Sequence, residues 1–330
     1  MALATLVACG GGGGDSAPTT GGGSTPPSAS FKLTSSNYTL AAQEALSTAN
    51  AMQGASAFSE VVTGVAVSGP GLPLAFARAQ VPKLQDWLRT VPQQVTGAVQ
   101  QYSESCVGGG SLGVTVSDAN GNQSLDAGDS VNIVATNCKI DGNTTNGSLG
   151  FAVNSASGNQ NSNAYGLNLG MAFGNFSVVS AAGTSTLNGG LILAVQSMGT
   201  NNTVTTLSAP NNLTMAGNYG GLASSRSLTA YSSTVTVSPA SSGYSESTVF
   251  NGSLSSNSFN AQTVVLSTTT PFVRTNLQSY PAAGQLVLTG ADGSRVRMTA
   301  QSVTQVQIEL DADGNGVYEL GTTRAWSSLL

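Results

Sequence analysis

Histidine is absent from the sequence, and charged residues make up only 8% of its 330 residues. The first absence removes the side chain that most often serves as general base, proton shuttle or metal ligand near neutral pH. The second leaves no cluster of Lys and Arg to neutralise phosphates, since 10 basic residues stand against 15 acidic ones. The composition therefore argues against nucleic-acid binding and against catalysis by histidine.

Aromatic residues are sparse at 6%, whereas glycine occurs 41 times and hydrophobic residues reach 40% of the chain. A chain of this length and apolar content buries a large core. Its polar positions hold mainly Ser, Thr, Asn and Gly, a neutral polarity that is typical of many extracellular β-proteins.

Two short glycine motifs match catalytic patterns in their letters alone. Residues 109–113 fit G-x-S-x-G, and residues 108–113 fit G-x-G-x-x-G. A nucleophile elbow needs a strand before it, a helix after it and a histidine base, and a dinucleotide site needs a helix amino terminus for the pyrophosphate. Here the glycines lead into a predicted strand, so we expect no enzymatic activity.

The amino terminus carries the most specific signal. Leu6-Val7-Ala8-Cys9 places an aliphatic residue and two further residues before a cysteine, and residues 10–30 are almost wholly Gly, Ser, Thr, Pro and Ala, a composition that forms a flexible tether. The four residues resemble the lipobox of bacterial, and particularly proteobacterial, lipoproteins. The resemblance implies a signal-peptide remnant over residues 1–8, lipidation of Cys9, and a tether over residues 9–35.

The same resemblance implies a location. In that family the acyl chains on the cysteine hold the protein at a membrane, and Gly10 rather than Asp after the cysteine favours the outer membrane. Which face of that membrane carries the protein stays open. Because no Lys or Arg precedes Cys9, whereas signal peptides begin with a basic region, we expect the natural gene to start further upstream.

Residues 36–105 are predicted to be helical, since Ala, Gln and Leu are frequent and apolar residues recur every three or four positions. Pro82 and Pro92 suit first-turn positions, which predicts two helices or one kinked helix, and Trp87 is predicted to be a core residue. The clearest apolar stripe comprises Val81, Leu84, Leu88, Val91, Val95, Val99 and Tyr102.

Residues 106–330 change to a period of two, which predicts antiparallel strands with one buried face. Large side chains alternate with small or polar ones at 149–153, 165–173, 191–195, 235–237 and 306–310. Four dipeptides between or beside these runs are predicted to be mostly hairpin turns: Asn146-Gly147, Asn188-Gly189, Asn251-Gly252 and Asp292-Gly293.

Together these patterns predict a mainly β fold with an N-terminal helical region. A wide antiparallel meander of roughly ten to fourteen strands must curl or close. We expect a partly open barrel or curled sheet with the helices packed on its apolar face. A transmembrane barrel would show the same alternation, but the helical region and the sparse aromatic residues favour the covered sheet.

Apart from Cys9, the sequence contains two cysteines, Cys106 and Cys138. In an oxidising compartment these two are predicted to form a disulfide. They are far apart in sequence and lack a C-x-x-C arrangement, which favours a structural role over a redox role.

Two segments concentrate acidic residues, and we call them loop 1 (118–129) and loop 2 (311–319). Both place oxygen-bearing side chains at positions 1, 3, 5 and 9, and both resemble the calcium loop of EF-hand and dockerin modules. The resemblance implies calcium ligands at Asp118, Asn120, Asn122, Ser124, Asp126 and Asp129 in loop 1, and at Asp311, Asp313, Asn315 and Glu319 in loop 2.

The loops also depart from that family. Loop 1 has Gln123 where the family has a glycine and Asp129 where it has a bidentate glutamate, and Thr322 occupies the last ligand position after loop 2. A plain polar hairpin loop is the alternative in both cases, and it is the favoured one for loop 2.

We therefore expect a non-enzymatic outer-membrane lipoprotein with a structural or binding role, stabilised by calcium. Two alternatives stay open: a periplasmic carrier of lipid or another apolar ligand, and a surface adhesin. A deep apolar cavity beneath the helices would favour the carrier, and an exposed apolar patch would favour the adhesin. The sequence leaves open whether the partner is a protein, a glycan or a lipid.

Overall fold

The computed structural model describes residues 28–56, 72–91, 98–158, 163–241, 243–275 and 278–329. Cys9 and the tether before residue 28 lie outside these ranges, so the lipobox and its anchor stay predictions. Three α-helices come first: α1, Tyr38–Ser56; α2, Leu72–Gln80; and α3, Leu84–Thr90. A turn of 3-10 helix, Val81–Lys83, joins α2 to α3 and has the predicted first-turn proline, Pro82, as its second residue.

Fifteen β-strands follow in the described part of the chain. Their bounds are β1, Ala98–Ser105; β2, Ser111–Asp118; β3, Ser130–Ile140; β4, Asn143–Gly158; β5, Ala164–Ser180; β6, Gly183–Met198; β7, Thr203–Ala209; β8, Leu213–Tyr219; β9, Leu222–Ala240; β10, Gly243–Ser256; β11, Thr263–Thr275; β12, Ala283–Thr289; β13, Arg295–Ala300; β14, Gln305–Asp311; and β15, Leu320–Ala325.

The strands form one sheet in which neighbours in sequence are neighbours in space, and every pair is antiparallel. β7 and β8 lie end to end between β6 and β9, each pairing with one half of both. They are two halves of a single strand that is interrupted around Pro210. The predicted fold class, a wide curled antiparallel meander with N-terminal helices, is confirmed.

One face of the sheet is buried because apolar residues alternate along each strand. In β5, for example, Leu167, Leu169, Met171 and Phe173 are all buried. The helices contact this face: α1 touches β7, β9, β10, β13 and β14, while α2 touches β5 and β6 and α3 touches β2. Their buried residues include the predicted anchor Trp87 and join those of the strands in one continuous core.

α1 approaches the sheet closely because alanines line its buried side, including Ala41, Ala42 and Ala45. One charged residue, Glu44, lies within this contact. Its carboxylate accepts hydrogen bonds from Arg226 Nε at 2.7 Å and Ser258 Oγ at 2.8 Å. Both members of the Glu44–Arg226 ion pair are only about one-tenth exposed, so the pair fixes the position of α1 on β9.

Removal of one partner of this pair should destabilise the fold, because the other charge would stay buried and uncompensated. For Glu44→Ala we expect a loss of about 3 to 5 kcal/mol in the free energy of unfolding. The double variant Glu44→Ala with Arg226→Met is the matched control and should recover much of that loss. Urea denaturation measures both, and equal stability of the two variants would contradict a coupled pair.

The helical prediction is wrong over its last eight residues. Residues Ala98–Ser105 form β1, which pairs along its whole length with β2. Val99 and Tyr102 are spaced as on a helix, yet Val99 is largely exposed and contributes nothing to a stripe. The open edge of β2 offers backbone hydrogen bonds to this segment, and that tertiary contact outweighs the weak local signal.

Three of the four dipeptides predicted as turns are likewise not hairpin turns, because each lies inside a strand: Asn146-Gly147 in β4, Asn188-Gly189 in β6 and Asn251-Gly252 in β10. At each site the pairing register shifts by a β-bulge. Asn146, Asn188 and Asn251 each accept, through Oδ1, the backbone N–H of a residue in the neighbouring strand, at 2.8, 2.6 and 3.0 Å.

These bulges form a row that crosses the sheet, which we call the bulge row and define by residues 137, 147, 175, 189, 230 and 252. All six have positive φ angles, between 45° and 137°. Bulges bend a strand and increase its twist, so a row of them curls the sheet along one line. Asp292-Gly293, by contrast, does connect β12 to β13 as predicted. Further tight turns that the sequence analysis missed are Asp141-Gly142 and Gly220-Gly221, in which both residues have positive φ.

Replacement of a bulge-row glycine by a residue with a side chain should destabilise the fold. Gly147 has a φ of +101°, and a Cβ added there would lie 2.4 Å from the backbone oxygen of Asn175. We expect Gly147→Ala to lower the free energy of unfolding by about 1 to 3 kcal/mol. The control is Gly113→Ala in β2, where the nearest atom to an added Cβ lies at 3.8 Å. Urea denaturation compares them, and equal losses would show that the bulge is not the cause.

The predicted disulfide is present and joins Cys106, just after β1, to Cys138 in β3. It therefore ties the edge strand to the third strand, rather than the end of a helix to a strand as the sequence suggested. Both cysteines are buried.

Loss of this bond should destabilise the protein chiefly by freeing the unfolded chain. For a closed loop of 32 residues the chain-entropy relation gives about 3 to 4 kcal/mol. Denaturation of the wild type with and without reductant measures the effect, and the Cys106→Ala, Cys138→Ala variant should be less stable and insensitive to reductant. A stability unchanged by reduction would refute a structural role.

Candidate functional site

The two acidic loops each begin at the last residue of a strand. Loop 1 connects β2 to β3, and loop 2 connects β14 to β15. Because successive strands alternate in direction and β7 and β8 together make one strand, the loops lie at opposite ends of the sheet. Their first residues, Asp118 and Asp311, are both fully buried.

These two buried carboxylates organise their loops in the same way. Asp118 accepts hydrogen bonds from the backbone N–H groups of Gly121 and Gln123, both at 2.7 Å. Asp311 accepts them from Gly314 at 2.8 Å and Gly316 at 3.0 Å, which are the equivalent fourth and sixth residues. Charge-assisted bonds to backbone N–H groups compensate for the burial of each carboxylate.

The third and fifth residues of both loops form Asx turns, in which a side-chain oxygen accepts the backbone N–H two residues later. The donor-to-acceptor distances lie between 2.7 and 3.1 Å. The pairs are Asn120 with Asn122, Asn122 with Ser124, Asp313 with Asn315, and Asn315 with Val317. The two loops thus share one hydrogen-bond framework, which the sequence spacing alone had indicated.

Gln123 occupies the sixth position of loop 1 with a φ of 61°, where loop 2 has Gly316 at 89°. Its side-chain nitrogen donates to the carbonyl of Val91 at 2.6 Å, and its own carbonyl accepts from Gln85 of α3 at 2.8 Å. The strained backbone is thereby offset by contacts that dock loop 1 against the helical region.

The loops differ in how their remaining carboxylates are neutralised. In loop 2 the carboxylate oxygens of Asp311, Asp313 and Glu319 lie within 4.8 Å of one another. In loop 1 the amide nitrogens of Asn120 and Asn122 donate to Asp126, at 2.7 to 3.1 Å. Amide N–H groups therefore already satisfy the ninth-position carboxylate of loop 1. In loop 2 the Asn315 amide donates to Asp313 at 2.9 Å, and the carboxylates of Asp311 and Glu319 lie beside it.

Tyr318 and the strands beneath it hold loop 2 in place. The Arg297 guanidinium lies 3.9 Å from the centre of the Tyr318 ring, and Arg297 Nε donates to Glu309 at 2.8 Å. Glu319 closes the loop by accepting the backbone N–H of Ala312 at 3.1 Å. Three carboxylates that could hold a cation thus come together in loop 2, although the sequence favoured loop 1 as the calcium loop.

Asp129 closes loop 1 and is almost fully buried. Its two oxygens accept the backbone N–H groups of Ala119 and Asp126, both at 2.9 Å. Burial raises the pKa of Asp129, and the nearby carboxylates of Asp126 and Asp118 raise it further.

This raised pKa predicts a pH-dependent contribution to stability. The folded protein holds the Asp129 proton more tightly than the unfolded chain, in which the pKa is about 4. The contribution of Asp129 is therefore fully present below about pH 4 and is lost as the pH rises through the folded value. The unfolding free energy of wild type minus that of Asp129→Asn, measured in EDTA, should fall with rising pH. A difference that grows with pH would contradict this assignment.

A groove of about 460 Å³ crosses β3 to β6. It is centred on the row Val131, Phe151, Met171 and Leu191, whose side chains are buried and in register across the strands. The other lining residues in these strands directly precede or follow those four residues along the chain. They therefore face the opposite side of the sheet. The groove therefore lies on the outer face, away from the helices.

Small side chains form the floor of this groove, and no charged residue lines it. The residues concerned are Gly150, Gly170, Gly190, Ala152 and Ala172, with Pro210 and Asn211 at the end where β7 and β8 are interrupted. Sequence analysis missed this feature, although Gly and Ala at alternate positions in consecutive strands would have indicated it. Such a surface suits an uncharged partner that makes close van der Waals contact.

The formal G-x-S-x-G motif is not an elbow, since Ser111 begins β2 and pairs with Ser105 and Thr136 in the adjacent strands. Within the described ranges, no helix has the length and apolar character needed to cross a membrane. Comparisons of the chain with protein-family models, with curated proteins and with solved structures give no match.

Proposed function

We propose that the chain is a non-enzymatic lipoprotein of the outer membrane with a structural or binding role. The observation that carries this proposal is the position of the groove and of the two acidic loops relative to the packed core. The helix-covered face is occupied by one continuous packed core, whereas the groove lies on the other face and the two organised loops lie at the ends of the sheet. A rigid body that presents surface features suits a protein that holds or contacts a partner.

The carrier alternative is less well supported by this arrangement. A carrier needs an apolar cavity on the helix-covered side, but the groove lies on the opposite face. The adhesin alternative needs a contiguous apolar patch. Large exposed apolar residues such as Val99, Leu222 and Val317 instead lie on separate elements.

The proposed anchor can be tested on the protein expressed from its own gene. We expect the wild type to partition into the detergent phase and the Cys9→Ser variant to stay in the aqueous phase, because acyl chains on Cys9 provide the membrane affinity. The matched control is Cys106→Ser, which removes a cysteine without removing the lipobox. Detergent partitioning of Cys9→Ser at the wild-type level would refute lipidation at this position.

Calcium is the proposed ligand of loop 2 and, with its Asp126 carboxylate already engaged by amide N–H groups, of loop 1. Calcium takes six to eight oxygen ligands in flexible geometry. Loop 2 offers Asp311, Asp313 and Glu319 together, with Asn315 between them in sequence. Their mutual repulsion would be relieved by a divalent cation, which supports binding there before loop 1.

Isothermal titration of the folded domain with calcium tests this proposal. We expect saturable binding whose tighter component, assigned to loop 2, is lost in Asp313→Asn with Glu319→Gln, since two of the three clustered carboxylates are then neutral. The matched control is Asp292→Asn, an exposed acid that pairs with Lys32 rather than with the cluster. No saturable heat at millimolar calcium, or wild-type heat in the double variant, would end the proposal.

A further inference from the structure

Five asparagines in the chain are followed directly by glycine: Asn120, Asn146, Asn188, Asn251 and Asn315. Glycine leaves the next backbone nitrogen sterically open, so that nitrogen can attack the asparagine side chain. We propose that Asn120 and Asn315, one in each acidic loop, are sites of spontaneous deamidation. We further propose that the three bulge-row sites, the asparagines that directly precede the bulge-row glycines (Asn146, Asn188 and Asn251), resist it.

The reaction needs no enzyme. The backbone nitrogen of the glycine forms a bond to Cγ of the asparagine, and the amide group leaves as ammonia after taking up the proton from that nitrogen. The product is a cyclic succinimide. One water molecule then opens the ring at either carbonyl, which yields aspartate or isoaspartate.

The side-chain directions separate the two groups of asparagines. In the loops the side chain folds back on its own backbone, since Oδ1 of Asn120 and of Asn315 accepts the N–H two residues later. The ring closed by that hydrogen bond contains both the asparagine Cγ and the glycine nitrogen, which keeps the reacting atoms near each other. Both side chains are also exposed to the water that the second step consumes.

In the bulge row the same side chains point across the sheet. Oδ1 of Asn146 accepts from Asn137, and Oδ1 of Asn188 accepts from Asn175. Oδ1 of Asn251 accepts from Thr268 in β11. These bonds direct Cγ away from the following glycine, and the sheet holds the backbone in place, so the ring cannot close without breaking strand pairing.

A carboxylate also lies at the attacking nitrogen in both loops. Gly121 N donates to Asp118 at 2.7 Å, and Gly316 N donates to Asp311 at 3.0 Å. Each buried carboxylate is thus placed to accept the proton that the nitrogen must lose and to return it to the departing amide. This places a proton acceptor at each of the two exposed sites.

Deamidation of Asn120 would add a negative charge to loop 1. The Asn120 amide nitrogen donates to both oxygens of Asp126, at 2.9 and 3.1 Å. A carboxylate in its place would repel Asp126 and would reproduce the acidic third position that Asp313 provides in loop 2. If calcium binds as proposed, which this last step alone assumes, the aged protein should bind calcium at loop 1 more tightly than the fresh protein.

Peptide mass spectrometry after prolonged incubation at mildly alkaline pH tests the proposal. The folded protein is incubated without calcium, and the same protein in concentrated urea serves as the reference. In the folded protein we expect Asn120 and Asn315 to react on the order of ten-fold faster than the bulge-row sites, equivalent to about 1.4 kcal/mol in barrier. In urea the five rates should converge. Isoaspartate in the loop peptides identifies the succinimide route.

Asn120→Gln and Asn315→Gln are the control variants, and each should abolish the mass change only in its own peptide. Equal rates at loop and bulge-row sites in the folded protein, or a loop rate far below the urea rate, would overturn the proposal. Because calcium is left out, either result is independent of whether the loops bind it.

Discussion

The structure depends on burying one face of a very wide sheet. Each strand contributes alternate apolar residues to that face, and α1, α2 and α3 contact it. Helices of this size could not cover a flat sheet of fourteen strand positions, about 65 Å wide at the usual strand spacing. The sheet must therefore bend, and the bulge row supplies the bend where the strands are longest. The alanine-rich side of α1 and its ion pair with Arg226 fit inside the curve that results.

Much of this architecture could be read from the sequence, because alternation with a period of two directly reflects which side chains are buried. The strand from Tyr165 to Phe173 and the core position of Trp87 follow from such local patterns. The disulfide was predictable because only two cysteines remain beside Cys9. The loop framework was predictable too, since Asx turns are formed between residues two apart.

Other features depend on contacts that no local pattern reveals. Asn-Gly supplies a positive φ for a hairpin turn and for a bulge alike, so Asn188-Gly189 could be assigned only once β5 and β8 were seen on either side of it. β1 was mistaken for a helix because Val99 and Tyr102 have helical spacing, whereas pairing with β2 leaves Val99 exposed. Which carboxylates of the two loops are engaged by side-chain amides depended on where Asn120 and Asn122 point. Side-chain orientation of this kind is decided by the folded loop.

The meander has a further consequence for the way the chain assembles. Each strand pairs with its neighbours in sequence, so the sheet can form strand by strand while the chain emerges amino end first. Contacts of short sequence separation also form quickly. α1 is different, because it touches β13 and β14 near the other end of the chain. The first element of the described chain therefore completes its packing among the last, because part of its apolar side stays exposed until the final strands arrive. Until then the chain would depend most on holding factors that cover this side.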